Sequence, residues 1–264
     1  MGCPDRAPQR MTLQSVRFEG QPQDIIAIHG FGGFGDDFAP LAEVLPNSMT
    51  ALQLPFNEDI VDYSTEALVH ALELSIKPNA IVLGYSMGAR LLLQWGVSER
   101  SQKPKALIVI SGSPGIEDEG LRDARRRSDA EIANRIETEG VDSFFEWWSQ
   151  VPIIASQQRI PEPHRTQMQQ RKRQYSPATL SASLTSFGQG VMPSCWNSLN
   201  FINCPVLLIV GEKDLKYRSI AERMHRQLSQ AELAIVPDAG HCPHLEKAEN
   251  TGTIIQKWFD RHGL

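Results

Sequence analysis

The sequence has little cysteine, few aromatics, no long apolar run and no basic excess. The four cysteines, Cys3, Cys195, Cys204 and Cys242, include no CxxC pair. That spacing suggests neither a zinc cage nor a disulfide framework, and reduced, packing cysteines in a cytoplasmic protein are expected. The longest apolar stretches, such as Ala106 to Ile110 and Val206 to Val210, fall far short of the roughly 18 residues of a membrane span. The opening MGCPDRAPQRMTLQSV has no apolar signal core, so export is not expected. Lys and Arg number 26 against 31 Asp and Glu, a formal net charge of −5, which argues against a non-specific nucleic-acid binder. There is no internal repeat, no low-complexity tract and no GxGxxG or GKS/T phosphate cradle. What is present is a globular composition, 41% hydrophobic and 22% charged, over 264 residues. At roughly 150 residues per domain this allows one large domain, or one domain with an insertion, around a sizeable core.

Short apolar runs recur, each ending in glycine or a polar cluster and followed by a helical pattern. Asp24–Ile28 leads into His29-Gly30-Phe31-Gly32-Gly33, and Ala80–Leu83 into Gly84-Tyr85-Ser86-Met87-Gly88. Ala106–Ile110 leads into Ser111–Pro114, Val206–Val210 into Gly211-Glu212-Lys213-Asp214, and Leu233–Val236 into Pro237–His241. Near-continuous apolar runs mark strands buried on both faces, as in a parallel sheet between helices. Helical spacing over Asp62–Leu74, Met87–Val97, Ser219–Leu228 and Ala248–Phe259 completes an α/β alternation. The rhythm breaks between about Gly115 and Asn200. From Glu117 to Tyr175 there are ten Lys/Arg, where an even spread would give about six. This stretch is read as a helical lid, which gives a core over 1–114, a lid insertion over 115–200 and a second core part over 201–264.

Gly84-x-Ser86-x-Gly88 follows a buried strand and opens a helix, the context of a nucleophile elbow. A serine hydroxyl is a weak nucleophile or base unless an imidazole takes its proton. Of seven histidines, His241 sits in a Gly-His loop just after the last expected strand, with His244 as nearest competitor; His29 is expected to shape the glycine-rich loop. An acid must orient the imidazole, and Asp214 follows the Val206–Val210 strand, with Glu212 and Asp238 left open as alternatives. The order Ser86, Asp214, His241 is that of α/β-hydrolases. In that fold the backbone N–H groups of Phe31 and Met87 are the expected oxyanion hole.

Further segments carry a more specific likeness. Gly84-Tyr85-Ser86-Met87-Gly88-Ala89-Arg90 resembles GYSMGGR, with Ala89 replacing the last glycine. Ser113–Ile116 followed by Arg122–Asp129, Phe144–Pro152, Ser183-Leu184 with Gly188-Gln189-Gly190 and Trp196, and Gly211–Tyr217 follow in order. Together, from about Asp24 to Phe259, they resemble the MenH family, 2-succinyl-6-hydroxy-2,4-cyclohexadiene-1-carboxylate synthases. The resemblance implies an α/β-hydrolase fold and a lyase that eliminates pyruvate from 2-succinyl-5-enolpyruvyl-6-hydroxy-3-cyclohexene-1-carboxylate on the way to menaquinone or phylloquinone. It implies a small tricarboxylate as the binding partner, with no metal or organic cofactor, no nucleic acid and no membrane insertion. Tyr85 and Arg90 are implied at the substrate, with Arg125 as the second arginine (Arg122 and Arg126 if the register slips). Trp148 is the implied site tryptophan, with Trp147 as the fallback. A third cation is implied within Arg171-Lys172-Arg173, and Arg173 is taken as the candidate. Carboxylates favour such guanidiniums because they pair with them bidentately. The competing expectation is a serine hydrolase, a carboxylesterase or a carbon–carbon-bond hydrolase, using the same triad.

Overall fold

The buried apolar runs hydrogen-bond to one another as neighbouring strands. The structure is a computed structural model that describes residues 11, 13–55, 63–99 and 104–264. Cys3, most of the opening segment and the Asp62 start expected for a helix lie outside the described residues. In chain order the first half comprises β1 (Gln14–Phe18), β2 (Gln21–Ile28), α1 (Ala39–Val44), β3 (Asn47–Gln53), α2 (Thr65–Ser75), β4 (Ile81–Tyr85), α3 (Met87–Gly96) and β5 (Ala106–Ile110). The second half comprises α4 (Glu119–Trp148), α5 (Pro152–Ala155), α6 (His164–Lys172), α7 (Pro177–Phe187), β6 (Val206–Gly211), α8 (Leu215–Gln227), β7 (Ala231–Val236), α9 (Pro243–Glu246) and α10 (Ala248–His262). The sheet order is β1-β3-β2-β4-β5-β6-β7. β1 runs antiparallel to β3, and the other pairings are parallel. This is the α/β-hydrolase architecture expected from the alternation.

Strand side chains alternate between two cores. Ile28, Val82, Val109 and Leu208 face α2 and α3, where they meet Leu68, Leu72, Leu91 and Leu92. Ile25, Leu83, Ile108 and Ile209 face α1 and α10, where they meet Leu41, Ile255, Trp258 and Phe259. Burial of each Leu, Ile or Phe contributes about 1.5–3 kcal/mol. Two strands were not expected. β3 is buried except at the half-buried Thr50, yet begins Asn-Ser-Met-Thr. The Ser48 and Thr50 hydroxyls find a partner in the Asp24 carboxylate, which accepts from them at 3.5 and 2.9 Å. β1 is a largely exposed edge strand.

Between β5 and β6 the described residues form helices and no strand. Asp118 caps α4 by accepting from the Leu121 N–H at 2.8 Å. The 30-residue run of α4 is interrupted at Gly140, whose φ of 78° is left-handed. Only glycine takes that conformation at little cost. The helix therefore breaks before the aromatic cluster Phe144, Phe145, Trp147 and Trp148. Among the described residues no helix is long and apolar enough to cross a membrane.

Candidate active site

Ser86 lies at the sharp turn between β4 and α3, with φ 50° and ψ −105°. A non-glycine residue held at positive φ is strained, and the surroundings must impose that conformation. The flanking glycines allow it. A Cβ on Gly88 would collide with the Ile28 carbonyl oxygen, and one on Gly84 would come within 2.7 Å of the Ala89 Cα. His241 and Asp214 meet the serine from the loops after β7 and β6. The Ser86 hydroxyl lies 3.0 Å from His241 Nε2, and His241 Nδ1 lies 2.6 Å from Asp214 Oδ2. A carboxylate can only accept, so Nδ1 carries the proton and Nε2 is free to receive the serine's. Asp214 also caps α8, accepting from the Tyr217 N–H at 3.4 Å. The other acids are occupied elsewhere: Glu212 accepts from the Asp238 N–H, and Asp238 pairs with Lys213 and Lys247.

The glycine-rich loop is shaped by His29. The Leu54 N–H donates to His29 Nε2 at 2.9 Å, so Nδ1–H donates to the Gly30 carbonyl at 2.7 Å. Burial lowers the His29 pKa and keeps the ring neutral. Phe31 and Met87 both line the cavity above Ser86. The Phe31 ring meets Phe144 and Trp148 edge-on, at centroid distances of 6.3 and 5.8 Å. His244 does not reach the serine's proton path. It is buried against Tyr85 and Phe38, with ring centroids 4.4 and 5.4 Å away, and burial lowers its pKa to about 3.

The cavity has a volume of about 550 Å³, and Tyr85, Ser86, Arg90, Arg125, Trp147, Trp148 and His241 are among its lining residues. Arg90 is only 6% exposed. Its Nη1 donates to the Phe187 carbonyl at 3.3 Å and its guanidinium lies 5.6 Å from the Phe187 ring. No carboxylate among the described residues pairs with it, and burial lowers its pKa to about 10. Arg125 is held by Asp129 at 2.7 Å and by Gln189. Arg122 and Arg126 instead pair with Glu119 and Asp123, outside the cavity lining. Both tryptophans line the cavity. Trp148 stacks on Phe144 at 5.6 Å, whereas Trp147 also carries the Arg135 guanidinium 4.2 Å above its ring.

Arg173 requires a correction. Its side chain is 73% exposed and lies 3.5 Å from Asp142, outside this cavity. Successive helical residues differ by about 100° in direction. The phase of α6 turns Arg171 onto Asp37, at 2.7 Å, and Lys172 onto Gln157, at 3.1 Å, which leaves Arg173 facing out. Burial lowers the Lys172 pKa, and its ammonium sits 5.1 Å from the Phe145 ring.

Three residues lining the site were not singled out from sequence. The Tyr217 ring lies 4.6 Å from the His241 ring, and its hydroxyl accepts from Gln189 Nε2 at 3.1 Å. Lys216 lines the same wall. All three sit inside quoted motif segments, Gly188–Gly190 and Gly211–Tyr217, so the signal was present but unassigned. Glu246 had no local signal. Its carboxylate accepts from the Gly240 N–H at 2.9 Å, the Cys242 N–H at 3.3 Å and Arg159 at 2.6 Å, and so ties the His241 loop to the helical segment between β5 and β6.

Comparison with known proteins adds three findings. Residues 25–251 match the alpha/beta hydrolase family. A putative 2-succinyl-6-hydroxy-2,4-cyclohexadiene-1-carboxylate synthase of Bacillus subtilis (strain 168) is 29% identical over 254 residues, covering 89% of this chain and 89% of that protein. The structure of MenH from S. aureus superimposes with a TM-score of 0.86 at 25% identity, covering 96% of this chain and 100% of that one. A thermophilic esterase from Thermogutta terrifontis, at 21% identity and a TM-score of 0.75, shares the fold.

Proposed function

The chain belongs to the alpha/beta hydrolase family, and from that premise we propose that it is a carbon–oxygen lyase, a 2-succinyl-6-hydroxy-2,4-cyclohexadiene-1-carboxylate synthase of menaquinone or phylloquinone biosynthesis. Its substrate, 2-succinyl-5-enolpyruvyl-6-hydroxy-3-cyclohexene-1-carboxylate, bears a succinyl ketone on C2, a 3,4 double bond and the enolpyruvyl ether on C5. The product is a 2,4-diene, so the proton lost is the one on C2, alpha to the ketone. His241 Nε2 takes the Ser86 proton as Ser86 Oγ takes the C2 proton, and Asp214 stabilises the imidazolium that results. The electron pair enters the ketone as an enolate, held by the backbone N–H groups of Phe31 and Met87. It then moves through C3 and C4 and expels the C5 oxygen. The three-carbon fragment takes up the proton and leaves as pyruvate, and no water is consumed.

The observation that carries this reading is Arg90. A buried guanidinium without a carboxylate partner, facing a cavity one helical turn from Ser86, is costly unless the ligand supplies the anion. Arg125, anchored by Asp129 and Gln189, offers a second site for a carboxylate. The same proton chain serves acyl transfer, so the second reading is a serine hydrolase, and the esterase that shares the fold favours it. A simple ester leaves Arg90 unmatched, which is why elimination is preferred. The test generates the unstable intermediate in situ and couples pyruvate to lactate dehydrogenase. Pyruvate should appear with enzyme, and Arg90→Met should weaken apparent binding by about 2–5 kcal/mol. Rapid turnover of p-nitrophenyl esters with trapping by a fluorophosphonate, and no pyruvate, would favour the hydrolase.

A further inference from the structure

A second cavity, of about 470 Å³, is lined by His241 and Asp214 and by Pro152, Ile153 and Ala155 of α5. The two cavities share Ile153, Lys216 and His241 in their walls. We propose that Lys216 binds the carboxylate of the departing three-carbon fragment where the two cavities meet, and that the second cavity is the side through which pyruvate leaves. This inference rests on the lyase reading above.

Four observations support the assignment. The first is charge. Three cations line the second cavity, but Arg159 is committed to Glu246 and Lys213 to Asp238. No carboxylate among the described residues pairs with Lys216, whose ammonium lies 5.7 Å from the Tyr217 ring. The second is the count of anions. The substrate carries three carboxylates; Arg90, without a carboxylate partner, answers one, and Arg125, which lines the main cavity while Asp129 holds its Nε, is left for at most a second. The third is the reaction geometry. The proton leaves C2 and the ether oxygen leaves C5, directly across one six-membered ring. The fragment therefore departs a ring's width from the Ser86–His241 base, and Lys216, next to Tyr217 in the chain, lines the cavity that must hold it there. The fourth is the electrostatic setting. Partial loss of hydration and the nearby Arg125 lower the Lys216 pKa while Asp214 raises it, and the exposed side chain is open to an incoming anion.

The step balances without a further reactant. The C5–O bond breaks with both electrons on oxygen, the resulting enolate of pyruvate takes the proton that came from C2, and its carboxylate exchanges Lys216 for water.

The experiment compares wild type with Lys216→Met and Lys216→Arg, following diene formation as pyruvate is added, with a calorimetric titration of pyruvate into each free enzyme. Pyruvate should inhibit the wild type. Lys216→Met should need about threefold more pyruvate for the same inhibition and bind it correspondingly more weakly, the size expected of an exposed ion pair. Lys216→Arg should restore most of the difference. An equal thermal midpoint in both variants shows that the fold is kept. Wild-type sensitivity to pyruvate in a Lys216→Met enzyme that still turns over would overturn this inference alone. A wild type that releases no pyruvate from the intermediate would remove the lyase reading and this inference with it.

Discussion

His29 and His244 are buried within a few residues of the proton path without taking part in it. Burial lowers both pKa values, that of His244 to about 3. In the unfolded chain each returns to about 6.5. Between those values the unfolded state binds more protons than the folded one. Stability is therefore fully present above about pH 6.5 and is lost as pH falls toward 3. We expect His244→Phe, which keeps a ring against Tyr85 and Phe38, to flatten this acid dependence. Urea unfolding at pH 7 and pH 5 measures it, and a slope unchanged from wild type would contradict it. At this scale the sequence was most informative where a residue's role follows from its own strand end. Ser86, Asp214 and His241 each follow an apolar run, and the structure links them in a hydrogen-bonded chain through the His241 ring. It was least informative for cations, because the direction of a side chain depends on helix phase, and one residue of phase separates Lys172 from Arg173.

Two elements set the geometry of the histidine. The loop between β7 and α9 carries His241, and the segment around Ser156–Arg159, between β5 and β6, packs against it. The His241 N–H donates to Ser156 Oγ at 3.3 Å, and Arg159 donates to Glu246, whose side chain is fully buried. We expect Arg159→Met to leave the Glu246 carboxylate without both guanidinium donors, costing roughly 1–3 kcal/mol of stability. It should also lower kcat more than it raises KM, because the loop that presents the imidazole loosens. Chemical denaturation and steady-state kinetics check the two parts, and a normal kcat would show that the segment does not support the histidine. The elements themselves were unevenly legible. β2, β4, β5, β6 and β7 were readable as apolar runs. β3 was not, because its asparagine, serine and threonine look like a loop until Asp24 supplies a partner for the Ser48 and Thr50 hydroxyls across the sheet. The break at Gly140 was likewise hidden inside a helical pattern.

In the whole molecule, Phe31, Ser86, Asp214 and His241 follow the carboxyl ends of β2, β4, β6 and β7. An open parallel sheet binds its ligands at that edge. The helical segment between β5 and β6 then closes the site with Arg125 and Trp148. The fold was legible because burial on both faces of a sheet writes itself into every strand. Under the proposed function the choice among chemistries lies elsewhere, in a few cations of the cavity above Ser86, and the fold of an esterase shows how little the scaffold alone decides. Glu246, Gln189 and Tyr217 were hard to foresee for the same reason, since they matter through contacts made only after the chain has folded. The central claim, that a serine primed by an imidazole removes a ring proton so that a carbon–oxygen bond breaks without water, is tested most directly by Ser86→Ala. Pyruvate release from the intermediate should fall by about 10²- to 10⁴-fold while substrate binding persists, and release at the wild-type rate would contradict it.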